Sequence, residues 1–133
     1  LAGLRVLLAE DNPVNAILAR TLLTRAGCVV AAVQDGEEAV AAAAAGPFDL
    51  ILMDIRMPRL DGLEAAQRIR TGHGPNAEAP IVALTADTGG EERAQALKAG
   101  MDDFLTKPVD ADRLIAVAER LSRRPNPATF GGE

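Results

Sequence analysis

Acidic, hydroxyl and amine side chains follow short apolar segments at several places along the chain. A short apolar run bounded by turn signals is typical of a buried strand, so these side chains are expected where strands end. They are Glu10, Asp11, Asp54, Thr85 and Lys107. In open α/β sheets the carboxyl ends of the strands meet at one edge, where ligands bind. Singly, each residue would be a solvated strand end, but together they predict a site.

Three carboxylates that lie close together repel one another, and a hard cation relieves that repulsion. Oxygen ligands without sulfur favour Mg²⁺, which keeps several of its bound waters. We predict that Asp11 and Asp54 are direct ligands and that Glu10 contributes through a bound water. The backbone carbonyl of Arg56 is expected to complete the share of the ligands that the protein provides.

A hydroxyl and an ammonium group beside such a cation predict phosphoryl transfer, in which charge develops on three equatorial oxygens. The cation can bind one oxygen, the Thr85 hydroxyl and the Ala86 N–H a second, and Lys107 a third. The Asp54 carboxylate is the expected nucleophile, which would form an acyl phosphate. Of the 14 basic residues only Lys98 and Lys107 are lysines, and a compact ammonium group suits a single phosphate oxygen.

The elements that must position these residues follow an alternating pattern. Strands are expected to begin near Leu4, Cys28, Asp49, Ile81 and Asp103, and a helix is expected after each of them. This rhythm predicts an α/β fold: one doubly wound, five-stranded parallel sheet with five flanking helices. We predict one domain over residues 1–122 and a flexible tail or linker over residues 123–133.

Two helices show apolar patterns with different implications. In the first helix, Val14, Ile17, Leu18 and Leu22 recur at helical spacing, which predicts a packing face. In the helix at residues 91–98 the apolar pattern is sparse and rests mainly on Ala94 and Leu97. We therefore expect this helix to be weakly anchored.

Composition narrows the classes of partner. The net charge is −5 and aromatic residues make up 2% of the chain, so direct binding of nucleic acid by this domain is not expected. No apolar run approaches about 18 residues, so no membrane contact by this domain is expected. Cys28 is the single cysteine, which favours a reducing compartment. We predict a cytoplasmic location, whether or not the parent protein is anchored in a membrane.

The motifs together resemble the receiver domain of two-component response regulators over about residues 4–121. They are Glu10-Asp11, Asp54 within Met-Asp-Ile-Arg-Met-Pro-Arg-Leu-Asp-Gly, Thr85-Ala86 and Lys107-Pro108. The resemblance implies a flavodoxin-like fold with strand order 2-1-3-4-5. It also implies Mg²⁺-dependent transfer of a phosphoryl group from phosphohistidine to Asp54. Such a domain phosphorylates and dephosphorylates itself and is not classed as an enzyme.

The resemblance further implies a switch, in which Thr85 pairs with Phe104. On phosphorylation the hydroxyl moves toward the phosphoryl group, the ring turns inward, and the surface of the fourth helix, fifth strand and fifth helix changes. Phe104 lacks the hydroxyl of the commoner Tyr, so a hydrogen bond from that group is excluded. Arg56 and Asp87 stand at positions that tune the lifetime of the phosphoryl group, and we hypothesise that they pair across the site and slow hydrolysis.

The segment Glu10-Asp11-Asn12-Pro13-Val14-Asn15 resembles the opening of receivers fused to hybrid sensor histidine kinases. In that setting the partner is a histidine kinase dimerisation domain or a histidine phosphotransfer domain, which docks on the first helix. Leu18 and Leu22 are candidates for that contact, although both can instead pack in the core. A stand-alone receiver, a receiver from a DNA-binding regulator and a phosphorylation-dependent dimer stay open.

Two other functions were weighed against this interpretation. A Mg²⁺-dependent phosphatase that works through an aspartyl-phosphate commonly needs a second Asp two positions after the nucleophile, where this chain has Arg56. A phosphorylation-independent interaction domain would lack an essential Asp or Lys, and this chain retains Asp54 and Lys107.

Overall fold

Five strands and five helices alternate along the chain in the computed structural model, which describes residues 1–72, 74–86 and 90–122. The strands are β1 (Arg5–Ala9), β2 (Val29–Val33), β3 (Leu50–Asp54), β4 (Ile81–Thr85) and β5 (Asp103–Thr106). The helices are α1 (Pro13–Arg25), α2 (Gly36–Ala45), α3 (Gly62–Thr71), α4 (Glu91–Lys98) and α5 (Ala111–Leu121). The tail predicted at residues 123–133 lies outside the described residues.

The strands form one parallel sheet in the order β2-β1-β3-β4-β5, which confirms the predicted doubly wound architecture. The registers of neighbouring strands place their carboxyl ends side by side at the same edge of the sheet. Asp54 is opposite Leu84, and Thr85 is opposite Thr106. The residues that follow β1, β3, β4 and β5 therefore leave the sheet at one edge.

The core lies on both faces of the sheet, because side chains alternate along each strand. In β1, Leu7 contributes to the layer under α2 and α3, while Leu8 contributes to the layer under α1 and α5. All five residues of β3 are buried, which explains its continuous apolar sequence. Truncation of such a leucine to alanine typically costs about 2–5 kcal/mol, so β3 is a rigid support for Asp54.

Side-chain caps fix where most of the helices begin. The Asn12 carboxamide oxygen accepts from the N–H groups of Val14 and Asn15, at 2.9 and 3.1 Å. Asp35, Asp61 and Asp110 cap α2, α3 and α5 in the same way. By contrast, the N-cap residue of α4 is Gly90, whose φ is 91° and which has no side chain that could cap the helix. The start of α4 is therefore less firmly held than the starts of the other four helices.

The predicted packing faces of α1 and α4 were wrong in part. Val14, Ile17 and Leu18 are 72%, 66% and 39% exposed, and the buried side chains of α1 are Ala19 and Leu23. The helix carries apolar residues on two faces, and the sheet covers only one of them.

In α4 the predicted anchors do not face the core. Ala94 is exposed and Leu97 is 55% exposed, whereas Glu92 and Ala96 are buried. Glu92 and Ala96 are four residues apart and share a helical face. A carboxylate therefore takes one of the two buried positions of this short helix.

Candidate functional site

Asp54 is the last residue of β3 and is only 2% exposed. The loop that follows returns against it, because the Gly62 N–H donates to the Ile55 carbonyl at 2.8 Å. A Cβ atom on Gly62 would lie 2.1 Å from the Asp54 carbonyl oxygen. Glycine at this position allows α3 to start directly against the backbone of the predicted acceptor.

Lys107 reaches Asp54 from the end of β5. Its Nζ lies 2.9 Å from Asp54 Oδ2 and 3.1 Å from Glu10 Oε1. The Lys107 N–H donates to the Thr85 carbonyl at 2.7 Å, and the peptide bond to Pro108 is cis. The backbone of the β5–α5 loop is thus tied to the end of β4, and the ammonium group is directed over that strand.

Glu10, Asp11 and Asp54 form an acidic cluster in which one ligand atom from each residue lies within 4.8 Å of the others. Glu10 and Asp54 are buried, whereas Asp11 is exposed. Glu10 Oε2 accepts from the Asn12 N–H at 3.2 Å. Glu10 Oε1 is buried, and among the described residues Lys107 Nζ approaches it to 3.1 Å as an ion pair without hydrogen-bond geometry. An under-satisfied buried oxygen facing other carboxylates suits a cation ligand.

Burial raises the pKa of the Asp54 carboxyl to about 6, and the neighbouring Glu10 carboxylate raises it as well, whereas Lys107 lowers it. For Lys107, burial lowers the pKa, but its contacts with the charges of Asp54 and Glu10 raise it by more, so the net direction is upward. Lys107 is therefore firmly charged and offsets part of the repulsion between the two buried carboxylates.

Thr85, at the end of β4, is buried, and its hydroxyl donates a short hydrogen bond to Glu92 Oε1 on α4. The other oxygen of this carboxylate, Oε2, lies 2.5 Å from Arg56 Nε. Sequence reasoning missed Glu92. The available signal was its position four residues before Ala96, which places both on the buried face of α4.

Other predicted residues lie around this centre. The Arg56 N–H donates to Asp54 Oδ1 at 3.1 Å, so the Arg56 backbone borders the Asp54 carboxylate, while Ala86 is exposed next to Thr85. The Phe104 ring is half-buried, and the guanidinium carbon of Arg93 lies 4.4 Å from its centroid. Asp87 lies outside the described residues, so its pairing with Arg56 stays a hypothesis.

The geometry joins an acidic cluster that includes the buried Asp54 carboxylate and a lysine at one sheet edge. The sequence matches the response regulator receiver domain over residues 6–119. The chain belongs to this family. Within the receiver family, this chain is 44% identical over 115 residues to the sensor protein GacS of Pseudomonas syringae pv. syringae. It is 40% identical over 133 residues to the transcriptional regulatory protein TcrA of Mycobacterium tuberculosis.

Solved structures of receivers have the same fold. The receiver domain of the sensor histidine kinase PA1611 from Pseudomonas aeruginosa PAO1 is 41% identical, with a TM-score of 0.84 over 90% of this chain and 98% of that one. That crystal structure holds a magnesium ion coordinated in its active-site cleft. Full-length ShkA, solved in complex with AMPPNP, is 55% identical, with a TM-score of 0.76 over 90% of this chain and 24% of that one.

The two sequence relatives named above are longer than this chain. The alignment covers 85% of this chain but 13% of the P. syringae sensor protein. For the M. tuberculosis regulator the shares are 97% and 51%. Within residues 1–72, 74–86 and 90–122, no helix combines the length and apolar character that a membrane span requires.

Proposed function

We propose that this receiver domain accepts a phosphoryl group on Asp54 from a phosphohistidine donor and acts as a step in a phosphorelay. The observation that carries the proposal is the convergence of Asp54, Lys107 and the acidic pair Glu10-Asp11 at one edge of the sheet. An Asp54 oxygen would form the new bond to phosphorus while the bond from phosphorus to the imidazole nitrogen breaks. The released imidazole then takes a proton from solvent.

The acidic cluster is the proposed Mg²⁺ site. Glu10, Asp11 and Asp54, with the backbone carbonyl of Arg56, would hold the ion, and Glu10 Oε1 is a buried oxygen that makes an ion pair with Lys107 but no hydrogen bond among the described residues. When bound, Mg²⁺ would neutralise charge on a phosphoryl oxygen and on the carboxylates. This agrees with the magnesium ion in the related PA1611 receiver.

The remaining side chains have separate roles in the proposed reaction. Lys107 already contacts Asp54 Oδ2 and would follow the transferred group as a charge partner for one of its oxygens. The Thr85 hydroxyl and the Ala86 N–H would bind another oxygen. Thr85 would leave Glu92 to do so, and Phe104 would turn inward with it, which changes the surface formed by α4, β5 and α5. Arg56 and Asp87 would tune hydrolysis.

The exposed face of α1 is the proposed docking surface. Val14, Ile17 and Leu18 are exposed large apolar residues on the helix that begins directly after Glu10-Asp11. A helix that carries the donor histidine can pack against this face and bring its phosphoryl group to Asp54. Leu22 is half-buried and packs against the core, so its part in docking is smaller.

We assign the partner as a histidine kinase dimerisation domain or a histidine phosphotransfer domain, and the setting as a hybrid sensor histidine kinase in the cytoplasm. The similarity to GacS and to the PA1611 receiver supports this setting. In this setting the domain is a phospho-acceptor that is not itself classed as an enzyme. Dimer formation on phosphorylation would be a consequence of the changed surface of α4, β5 and α5.

Incubation with acetyl phosphate and Mg²⁺, followed by intact mass and peptide mapping, tests the function. We expect a lasting label on Asp54 that is absent in Asp54→Asn and retained in Asp61→Asn, a matched change at an exposed helix cap. Rapid turnover of acetyl phosphate without a lasting label would favour an aspartyl-phosphate phosphatase. No label and no turnover would favour an interaction domain.

A further inference from the structure

The carboxylate of Glu92, on α4, contacts two residues near Asp54. They are Thr85, the predicted switch residue at the end of β4, and Arg56, in the loop that follows β3. Oε1 accepts from the Thr85 hydroxyl, and Oε2 lies 2.5 Å from Arg56 Nε. We infer that Glu92 is a positioning residue that holds the Thr85 hydroxyl away from the phosphoryl site until Asp54 is phosphorylated. The inference rests on the proposed function and names a regulatory contact of the same site.

The contact is firm because Glu92 is only 7% exposed. A buried carboxylate is costly unless its oxygens are paired, and Thr85 and Arg56 each pair with one of them. Hydrogen bonds to a charged acceptor are stronger than those between neutral groups. The Thr85 rotamer that faces α4 is therefore strongly favoured in the unphosphorylated domain.

A single hydroxyl proton makes the two positions of Thr85 mutually exclusive. Thr85 has one O–H, so it cannot donate fully to Glu92 and to a phosphoryl oxygen at once. When it turns to the phosphoryl group, Glu92 Oε1 loses this donor while the carboxylate is still buried. That loss favours movement of the Glu92 side chain toward solvent and weakens its contact with the end of β4.

The construction of α4 suits this movement. Its N-cap residue, Gly90, has no side chain that could cap the helix, and its buried residues are Glu92 and Ala96. The residue after Glu92, Arg93, has its guanidinium carbon 4.4 Å from the centroid of the Phe104 ring. Consecutive residues of one helical turn thus contact Thr85 and Phe104, so release of Glu92 also shifts the side chain that covers the ring.

Three variants test the contact. Glu92→Ala removes it, Glu92→Gln keeps the shape but weakens the acceptor, and Glu91→Gln changes an exposed neighbour as the matched control. In the unphosphorylated protein we expect the ¹³C-methyl NMR signal of Thr85 in Glu92→Ala to move toward its position in the beryllofluoride-treated wild type. We expect a smaller shift in Glu92→Gln and none in Glu91→Gln.

Labelling kinetics provide the second readout. Loss of one charge-assisted hydrogen bond is expected to raise the rate of labelling by acetyl phosphate about tenfold in Glu92→Ala. In a Thr85→Ala background the same change should leave the rate unaltered, because the hydroxyl that Glu92 restrains is gone. A merely structural role would lower the free energy of unfolding and would act equally in both backgrounds.

The outcomes separate this inference from the proposed function. If the wild type is labelled on Asp54 while the Glu92 variants keep its rate and its Thr85 methyl shift, the positioning role is overturned and the proposed function stands. If the wild type takes no label, the proposed function fails. The methyl signal of Thr85 in the untreated protein then still decides whether Glu92 restrains the hydroxyl.

Discussion

The ammonium nitrogen of Lys107 lies 2.9 Å from Asp54 Oδ2, although β4 separates their strands in the sheet. The same nitrogen lies 3.1 Å from Glu10 Oε1 at the end of β1. One cation therefore sits between two buried carboxylates that come from different strands. Glu10 disfavours ionisation of Asp54, and the positive charge of Lys107 offsets part of that effect.

Lys107→Ala is expected to keep the fold and Mg²⁺ binding but to slow labelling of Asp54 by about tenfold or more. The transferred phosphoryl group would lose the charge that now contacts Oδ2. The variant should also uncouple residual phosphorylation from the shifts of α4. Labelling rates and amide NMR spectra check this. The control is Lys98→Ala, which changes an exposed lysine at the end of α4. A wild-type rate in Lys107→Ala would contradict the role.

Asp54→Asn is expected to stabilise the metal-free domain at pH 7.5. The folded pKa of Asp54 is raised from 3.8 to about 6, so the folded state binds more protons than the unfolded state between these values. In the wild type, the protonated Asp54 carboxyl contributes to the free energy of unfolding. This contribution is fully present below about pH 4 and is lost as the pH rises through about 6. Because asparagine does not ionise, the variant keeps this contribution, which is about 1–3 kcal/mol.

Urea unfolding in the presence of a chelator measures this difference. The gain from Asp54→Asn should shrink toward zero as the pH is lowered to about 4. Added Mg²⁺ should stabilise the wild type more than the variant, because a ligand that binds the folded state alone raises its stability. The interpretation fails if Asp54→Asn is no more stable than wild type at pH 7.5 without metal.

Gly62→Ala is expected to be strongly destabilising, because its Cβ would lie 2.1 Å from the Asp54 carbonyl oxygen, which is a backbone atom that cannot turn away. Overpacking typically costs about 1–3 kcal/mol, and this contact is tighter than most. Gly46→Ala is the matched control, since a Cβ there meets nothing within 4 Å. Thermal unfolding of both variants is the measurement, and equal melting temperatures would refute the close approach.

Arg70 joins α3 to two loops on the opposite edge of the sheet. Its guanidinium donates to the carbonyls of Gly100 and Ala79, at 2.8 and 2.5 Å, and to the carboxylate of Asp102 at 2.8 Å. Lysine cannot reproduce this fork, so Arg70→Lys should lower the free energy of unfolding by about 1–3 kcal/mol.

Arg68→Lys, two positions away, is the control for Arg70→Lys. Arg68 is exposed and pairs only loosely with Glu64, at 3.4 Å, so its replacement should change the stability by less than about 0.5 kcal/mol. Chemical denaturation compares the two variants. Equal effects would mean that the bonds of Arg70 do not stabilise the fold.

Ile17→Asp should impair phosphoryl transfer from a histidine phosphotransfer domain by at least about tenfold, because it places a charge on the proposed docking face of α1. Labelling by acetyl phosphate should be unchanged, since the small donor needs no docking surface. Val29→Asp is the matched control, because Val29 is 60% exposed on the edge strand β2. If both variants transfer equally well, α1 is not the docking surface.

The sequence by itself determined the order of strands and helices along the chain and the meeting of Asp54, Lys107 and the acidic pair at one edge of the sheet. These features are local or periodic. An apolar run followed by a polar residue marks a strand end, and the rule that parallel strands end at one edge then brings such residues together without knowledge of distances.

Only the tertiary structure decided which partner each long side chain has. The contact of Glu92 with Thr85, the position of Arg93 over Phe104 and the bonds of Arg70 join residues on different elements. The apolar pattern of α1 fits two faces, and the packing of the sheet against Ala19 and Leu23 selected the buried one. Such contacts depend on how the helices rotate and pack against the sheet, and periodicity in a single sequence does not specify that rotation.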